Sequence, residues 1–193
     1  MAQAEPVRGV DAVKSALVEA AAERLSEVGP RAVSVRDVAR RAGVNHGQIH
    51  HYFGGKRALL RAAMLHLAAQ HFEHQTELSG GRPIPRALSL AEDPRYWRAI
   101  CRAVMEGDLE LAGVEIEAGL SVPRRALAAL MERDGADADD LDFKARFAAV
   151  AALSLGWVAL EDFVVMLVDV GEGDREALRE RIKQIAESLF MRR

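Results

Sequence analysis

Several things are scarce in this sequence, and each scarcity excludes something. The 193 residues contain one cysteine, Cys101, so the chain cannot close a disulfide on itself, and a reducing compartment is expected. Aromatic residues make up only 5% of the chain. The core must therefore be built largely from alanine, leucine and valine, and the first two lose little rotamer freedom in a helix. No alternating run of β-branched residues bounded by turn chemistry is present, so strands are not expected. The longest charge-free run, Phe147 to Leu160, falls short of the roughly 20 residues that cross a bilayer and suits a buried helix. The first residues, MAQAEPVRGVDAV, lack the continuous apolar stretch of a secretory signal, so a cytoplasmic protein without a membrane partner is expected. There is no phosphate loop, no Gly-x-Ser-x-Gly elbow and no His-Glu-x-x-His, and the carboxylates are scattered. Neither catalysis nor a cofactor is expected.

What is present is unevenly distributed. Residues 1–67 carry ten basic against six acidic side chains, whereas residues 68–193 carry sixteen against twenty-three. A polyanion is drawn to the first segment and repelled by the second. Helical periodicity runs through both. Val13, Leu17, Ala21, Leu25 and Val28 form one apolar face of a helix over about 11–28, stopped by Gly29-Pro30. Further helices are expected over 56–77, 93–106, 108–119, 122–133, 141–169 and 174–191. Gly80-Gly81, Pro83 and Pro85 make a loop, and the acidic stretch 134–140 is a loop or a capped helix start.

The stretch SVRDVARRAGVNHGQIHHYF carries the chemistry. Ser34 is a natural N-cap, with Asp37 three residues on to complete a capping-box-like pair. Val35, Val38, Ala39 and Ala42 point inward, Gly43 ends the helix and Val44 plugs the turn. Asn45 then caps a second short helix, which turns Ile49, Tyr52 and Phe53 inward and His46, Gln48, His50 and His51 outward, and Gly54-Gly55 ends it. Two short helices joined by Ala-Gly-Val, the second dry on one face and polar on the other, are what a helix-turn-helix requires.

The slots held by Ser34, Ala42-Gly43-Val44, Asn45, Gly47, Ile49, Tyr52-Phe53, Lys56 and Leu59-Leu60 resemble the DNA-binding domain of the TetR (tetracycline repressor) family. The resemblance covers about residues 10–65. It departs from the family where His50 takes a slot usually filled by tyrosine, which adds pH sensitivity. It implies an all-α protein of about nine helices: a three-helix DNA-binding domain over 1–56, and a helical ligand-binding and dimerisation domain over 57–193. It also implies a homodimer through the last two helices, and a body pocket whose ligand lowers affinity for double-stranded operator DNA.

The residues divide by role. His46 and Gln48 are placed to read bases, Gln48 pairing bidentately with adenine and His46 donating to guanine, each worth ~1–3 kcal/mol of discrimination. Gly47 permits close approach, and His50 and His51 are next in line. Ser34 and Arg36 are placed for phosphates at a helix N-terminus, which favours anions, and the resemblance implies that Tyr52 and Lys56, which match family positions, also hold the DNA backbone. In the body, Tyr96, Trp97, Cys101, Met105, Phe143, Phe147, Trp157 and Glu161 are the candidate lining for a small, largely apolar effector. The pairs His46/His50 and His71/His74 have metal-compatible spacing but no third ligand, so no metal is expected. Leu178, Ile182, Ile185 and Leu189 form a packing seam on the last helix, within or between subunits. Control by a protein partner, or a scaffold that has lost DNA binding, remain as alternatives.

Overall fold

The computed structural model describes residues 9–84, 88 and 93–191. Pro85, read as part of the loop, lies outside these residues. Among the described residues there are ten α-helices, one 3-10 turn and no strand, so the all-α expectation holds. The helices are α1 (Val10–Ala32), α2 (Val35–Arg41), α3 (Gly47–Phe53), α4 (Lys56–Leu78), α5 (Pro94–Met105), α6 (Leu109–Ala112), α7 (Val114–Glu117), α8 (Val122–Asp134), α9 (Leu141–Leu167) and α10 (Arg175–Met191). Where one helix was expected over 108–119 there are two single turns that meet at Gly113.

The chain divides into two compact units. The first holds residues up to Phe72 together with Arg98–Ser121, and the second holds Glu73–Trp97 together with the chain from Val122 onward. The first unit is built on Leu17, Leu25, Val38, Ile49, Leu59, Met64, Leu67 and Leu111, all nearly solvent-free. Its α1 leaves helical geometry at Gly29, where φ is 78°, and Pro30 begins a final turn to Ala32. Glycine's tolerance of positive φ and proline's lack of an N–H account for a break at that dipeptide.

The second unit buries Tyr96, Trp97, Leu130, Phe143 and Trp157. Trp157, Leu88 and Val165 form a cluster against which Leu178 and Ile182 of α10 pack, so two members of the expected seam are satisfied within the chain. The carboxylate of Asp140 accepts from the Phe143 N–H at 2.8 Å, so the acidic stretch ends as the cap of α9. At 27 residues, with an 18-residue window of mean hydropathy 1.8, α9 is long and apolar enough to cross a membrane, and only 17% of that window is buried. The charge-free run alone did not reveal this length. The helix continues through Glu161 and Asp162, which are tied to Arg175 of α10.

Candidate nucleic-acid interface

The helix-turn-helix is built from local signals. α2 ends at Arg41, and Gly43 then takes a left-handed conformation (φ 68°) that a Cβ would oppose. The Val44 N–H returns to the Ala39 carbonyl at 3.0 Å and closes the turn. The side chain of Asn45 accepts from the Gly47 N–H at 2.8 Å, satisfying one of the free amides at the start of α3. α3 stops at Gly54, again left-handed, and α4 opens at Lys56.

The capping box expected at α2 does not form. Ser34 stands at the N-cap with extended backbone, but its hydroxyl makes no cap hydrogen bond. Asp37 is drawn instead to Arg24 of α1 at 2.8 Å and to Arg40, with Arg41 at 3.6 Å. Charge-assisted bonds to guanidinium are stronger than a hydroxyl-to-amide cap, so three arginines outcompete the serine. The Arg40 hydrogen bond, reinforced by the fields of Arg24 and Arg41, holds the Asp37 carboxyl below its ordinary range.

This ion-pair network sorts the basic residues of the unit. Arg41 also reaches Glu23 and Glu27. On α4, Arg57 binds Asp108 and Glu110 while Arg61 binds Glu117. These cations are neutralised locally, and Arg57 pulls the Asp108 carboxyl down. Arg36 is exposed and has no ion-pair partner among the described residues. The Lys56 ammonium donates to the Arg31 carbonyl at 3.1 Å. Lys14 lies 5.7 Å above the Tyr52 ring, and Tyr52 meets His51 edge-on at 4.8 Å. Lys14 was not singled out from the sequence. Its only signal there is an exposed position on the amphipathic α1, which many lysines share.

On α3 the inward face rests on Ile49, 2% exposed, and the outward face shows His50 and His51 to solvent, with His46 exposed just before its first residue. Gln48 is half-buried, and its amide oxygen is shielded without a donor. Any swing of that side chain toward solvent or a base edge therefore gains a hydrogen bond. Gly47 has ordinary helical backbone, and a Cβ added there would meet nothing closer than 3.4 Å. No internal crowding explains its glycine.

The eight candidate effector residues are spread more widely. Tyr96 and Trp97 are buried edge-on, ring centroids 5.0 Å apart. Phe143 is buried with Arg146 at 5.6 Å from its ring, Phe147 is half-buried, and Trp157 belongs to the apolar cluster. Glu161 accepts from Arg175 at 2.8 Å and Arg179 at 2.7 Å. Those six lie in the second unit. Cys101, whose thiol pKa burial pushes up, and Met105, 84% exposed, belong to the first. A cleft of about 340 Å³ in the first unit, lined by Phe53, Arg57, Arg61, Glu110 and Leu111 among others, includes none of the eight. His71 is fully buried and His74 exposed, so they do not share a surface.

Comparison with known proteins agrees with the geometry. Residues 17–63 match the family model described as bacterial regulatory proteins, tetR family. A helix-turn-helix transcriptional repressor of Mycobacterium tuberculosis is 35% identical over 104 residues, 51% of this chain and 50% of its own. The regulator BetI of Yersinia pestis is 36% identical over 92 residues, 46% of this chain and 44% of its own. The chain spans about half the length of the curated relatives it matches. Among solved structures, a tetR-family regulator of Streptomyces coelicolor superposes with a TM-score of 0.58 at 18% identity, covering 94% of this chain and 82% of that one. One from Rhodococcus gives 0.58 at 21% identity, covering 94% and 100%. At such identities these two establish the fold alone.

Proposed function

We propose that this chain is a ligand-responsive transcriptional repressor, a reading supported by the match of residues 17–63 to the tetR family model and by the likeness to a helix-turn-helix repressor. A two-fold dimer sets two copies of α3 in successive major grooves of a pseudo-palindromic operator and blocks transcription. The observation that carries the reading is α3 itself, dry on Ile49 and polar outside, held between two glycine turns on the basic part of the chain. Gly47 adds support. At the first residue of α3 nothing inside the chain calls for a glycine, and close approach of a groove gives its missing side chain a reason. Ser34, Arg36, Tyr52 and Lys56 serve the phosphates; Asn45 caps the reading helix; His46 and Gln48 read bases, with His50 and His51 beside them.

Dimerisation through α9 and α10 is supported by Leu160, Phe163, Met166 and Leu167, which recur at three- and four-residue spacing and stand more than half exposed, and by Ile185 at 60%. A small, largely apolar effector bound in the body favours a state whose heads are wrongly spaced, and this takes several kcal/mol of differential affinity. Control by a protein partner instead is favoured by one observation: Tyr96, Trp97, Phe143 and Trp157 are packed at 3% exposure or less.

The test is selection of duplexes from a randomised pool. The wild-type chain is expected to enrich a pseudo-palindrome, and Gln48→Ala to relax one position of it. A pool that returns unenriched, or an unchanged preference in the variant, removes this face as the reader.

A further inference from the structure

The elbow between α1 and α2 is gripped through a single residue. Chain geometry breaks at Gly29 and resumes for one turn, in which the Arg31 N–H donates to Oε2 of Glu106 at 2.8 Å. The Arg31 guanidinium donates to the Glu106 carbonyl at 2.8 Å, and the neighbouring Arg102 Nε donates to the Ser26 carbonyl at 3.2 Å. The remaining polar group of the Arg31 backbone, its carbonyl, accepts from the Lys56 ammonium at 3.1 Å. Arg31 is thus held at its amide, side chain and carbonyl, by the end of α5 and the start of α4.

Gly29 fits this arrangement twice over. Its φ of 78° suits glycine, and a Cβ there would run into the Glu106 carboxylate and sit 3.3 Å from Cβ of Arg102. A close approach reserved for one carboxylate, with a glycine keeping the space open, is more than an incidental surface contact. Along the chain, the elbow leads directly into the N-terminus of α2, with Ser34 and Arg36. In space, it touches Lys56.

We propose that Glu106 is a positioning residue for DNA binding: its carboxylate fixes the α1–α2 elbow, and through it sets Ser34, Arg36 and Lys56 in the arrangement that meets the phosphate backbone. The inference rests on the reading of this unit as the DNA-binding head. It goes beyond that reading by giving a residue far from the helix-turn-helix in sequence, and outside the matched segment 17–63, a defined share in affinity. A displacement of the last turn of α5 frees the Arg31 amide, and the phosphate-facing groups lose their common anchor without any change on the base-reading face.

The test uses the full chain and the duplex that the wild type selects from a random pool, with binding followed by fluorescence anisotropy across salt. Hydrogen exchange over residues 29–34 is followed separately, without DNA. Glu106→Ala is expected to bind about tenfold or more weakly, the range of a lost charge-assisted hydrogen bond. The loss should be the same for every sequence, with a shallower salt dependence, an unchanged base preference and faster exchange at Arg31. Glu106→Gln keeps an oxygen acceptor at the same reach and should restore both affinity and protection. If Glu106→Ala does not fold, Glu106→Asp takes its place, since it keeps the charge but withdraws it by one methylene; the same pattern is expected.

Wild-type affinity in the alanine or aspartate variant, a loss confined to one base position, or unchanged exchange at Arg31 would overturn the proposal. A loss of helix and melting temperature that glutamine does not rescue would also do so, by reducing Glu106 to a packing role. A wild-type chain that selects nothing from the pool overturns the DNA-binding reading itself. The exchange measurement then reports separately whether the clamp exists.

Discussion

Two surfaces of this chain are unfinished, and in opposite senses. α3 turns Ile49 inward and leaves the imidazoles of His50 and His51 outside, in the part of the sequence where bases outnumber acids. α9 does the reverse: it leaves Leu160, Phe163, Met166 and Leu167 outside, in the part where acids outnumber bases. A polar face with positive surroundings is comfortable in water and gains by meeting a polyanion. An apolar face is not comfortable in water and gains by meeting its like. The contrast teaches that exposure alone does not identify a partner. On the chemistry of what each exposes and the charge around it, DNA is the proposed partner of one surface and a second copy of the chain the proposed partner of the other.

The largest expected effect comes from breaking the apolar side of that contrast. Phe163→Asp with Met166→Asp would bury carboxylates without partners at a subunit interface, at several kcal/mol, so the dimer should dissociate at roughly a thousandfold higher concentration. Sedimentation velocity over a dilution series reads this directly, and operator affinity should collapse with it. A double variant that sediments as the wild type does would leave α9 exposed for some other reason.

The next effects sharpen the polar side by separating its two kinds of contact. Gln48→Ala should cost ~1–3 kcal/mol at one base position and nothing elsewhere. Arg36→Ala should weaken all sequences alike and reduce the logarithmic salt slope by about 1, the signature of one phosphate contact. Titrations of matched and singly mismatched duplexes at several salt concentrations distinguish the two. If Arg36→Ala altered the base preference, or Gln48→Ala the salt slope, the division of α2 and α3 into positioning and reading would be wrong.

The comparison also explains how much the sequence could disclose. The turns at Gly43 and Gly54 and the Asn45 cap were legible because each is a local event within a few residues, written in residue types that few other conformations require. The capping box at Ser34 was misread because Asp37 is claimed by Arg40 and Arg41 on its own helix and by Arg24, which lies on another helix and becomes a neighbour only after folding. The same holds in the body. Whether Glu161 faces a ligand, a partner or its own chain depends on Arg175 and Arg179, which α10 brings to it. The single helix expected over 108–119 gave way at Gly113, a residue compatible with either outcome. Periodicity found the helices of both units. It identified surface chemistry only where that chemistry is built within one turn-helix segment.

The smallest effect tests what holds the polar surface rigid. The Asp37 carboxyl sits among Arg24, Arg40 and Arg41 and titrates below its ordinary value of 3.8, chiefly through the Arg40 hydrogen bond. A carboxylate whose native pKa is depressed contributes stability above the unfolded value, and that contribution is lost as pH falls through the native one. Asp37→Asn should therefore melt slightly below the wild type at neutral pH, and the gap should close once the pH drops well below 3.8. Thermal melts at both extremes measure it. A gap that persists in acid would mean that Asp37 acts by packing rather than by charge. No gap at neutral pH would mean that solvent and salt screen the network away, as they do for many exposed pairs. The link between α1 and α2 would then rest on apolar contact and on the Arg41 pairs with Glu23 and Glu27.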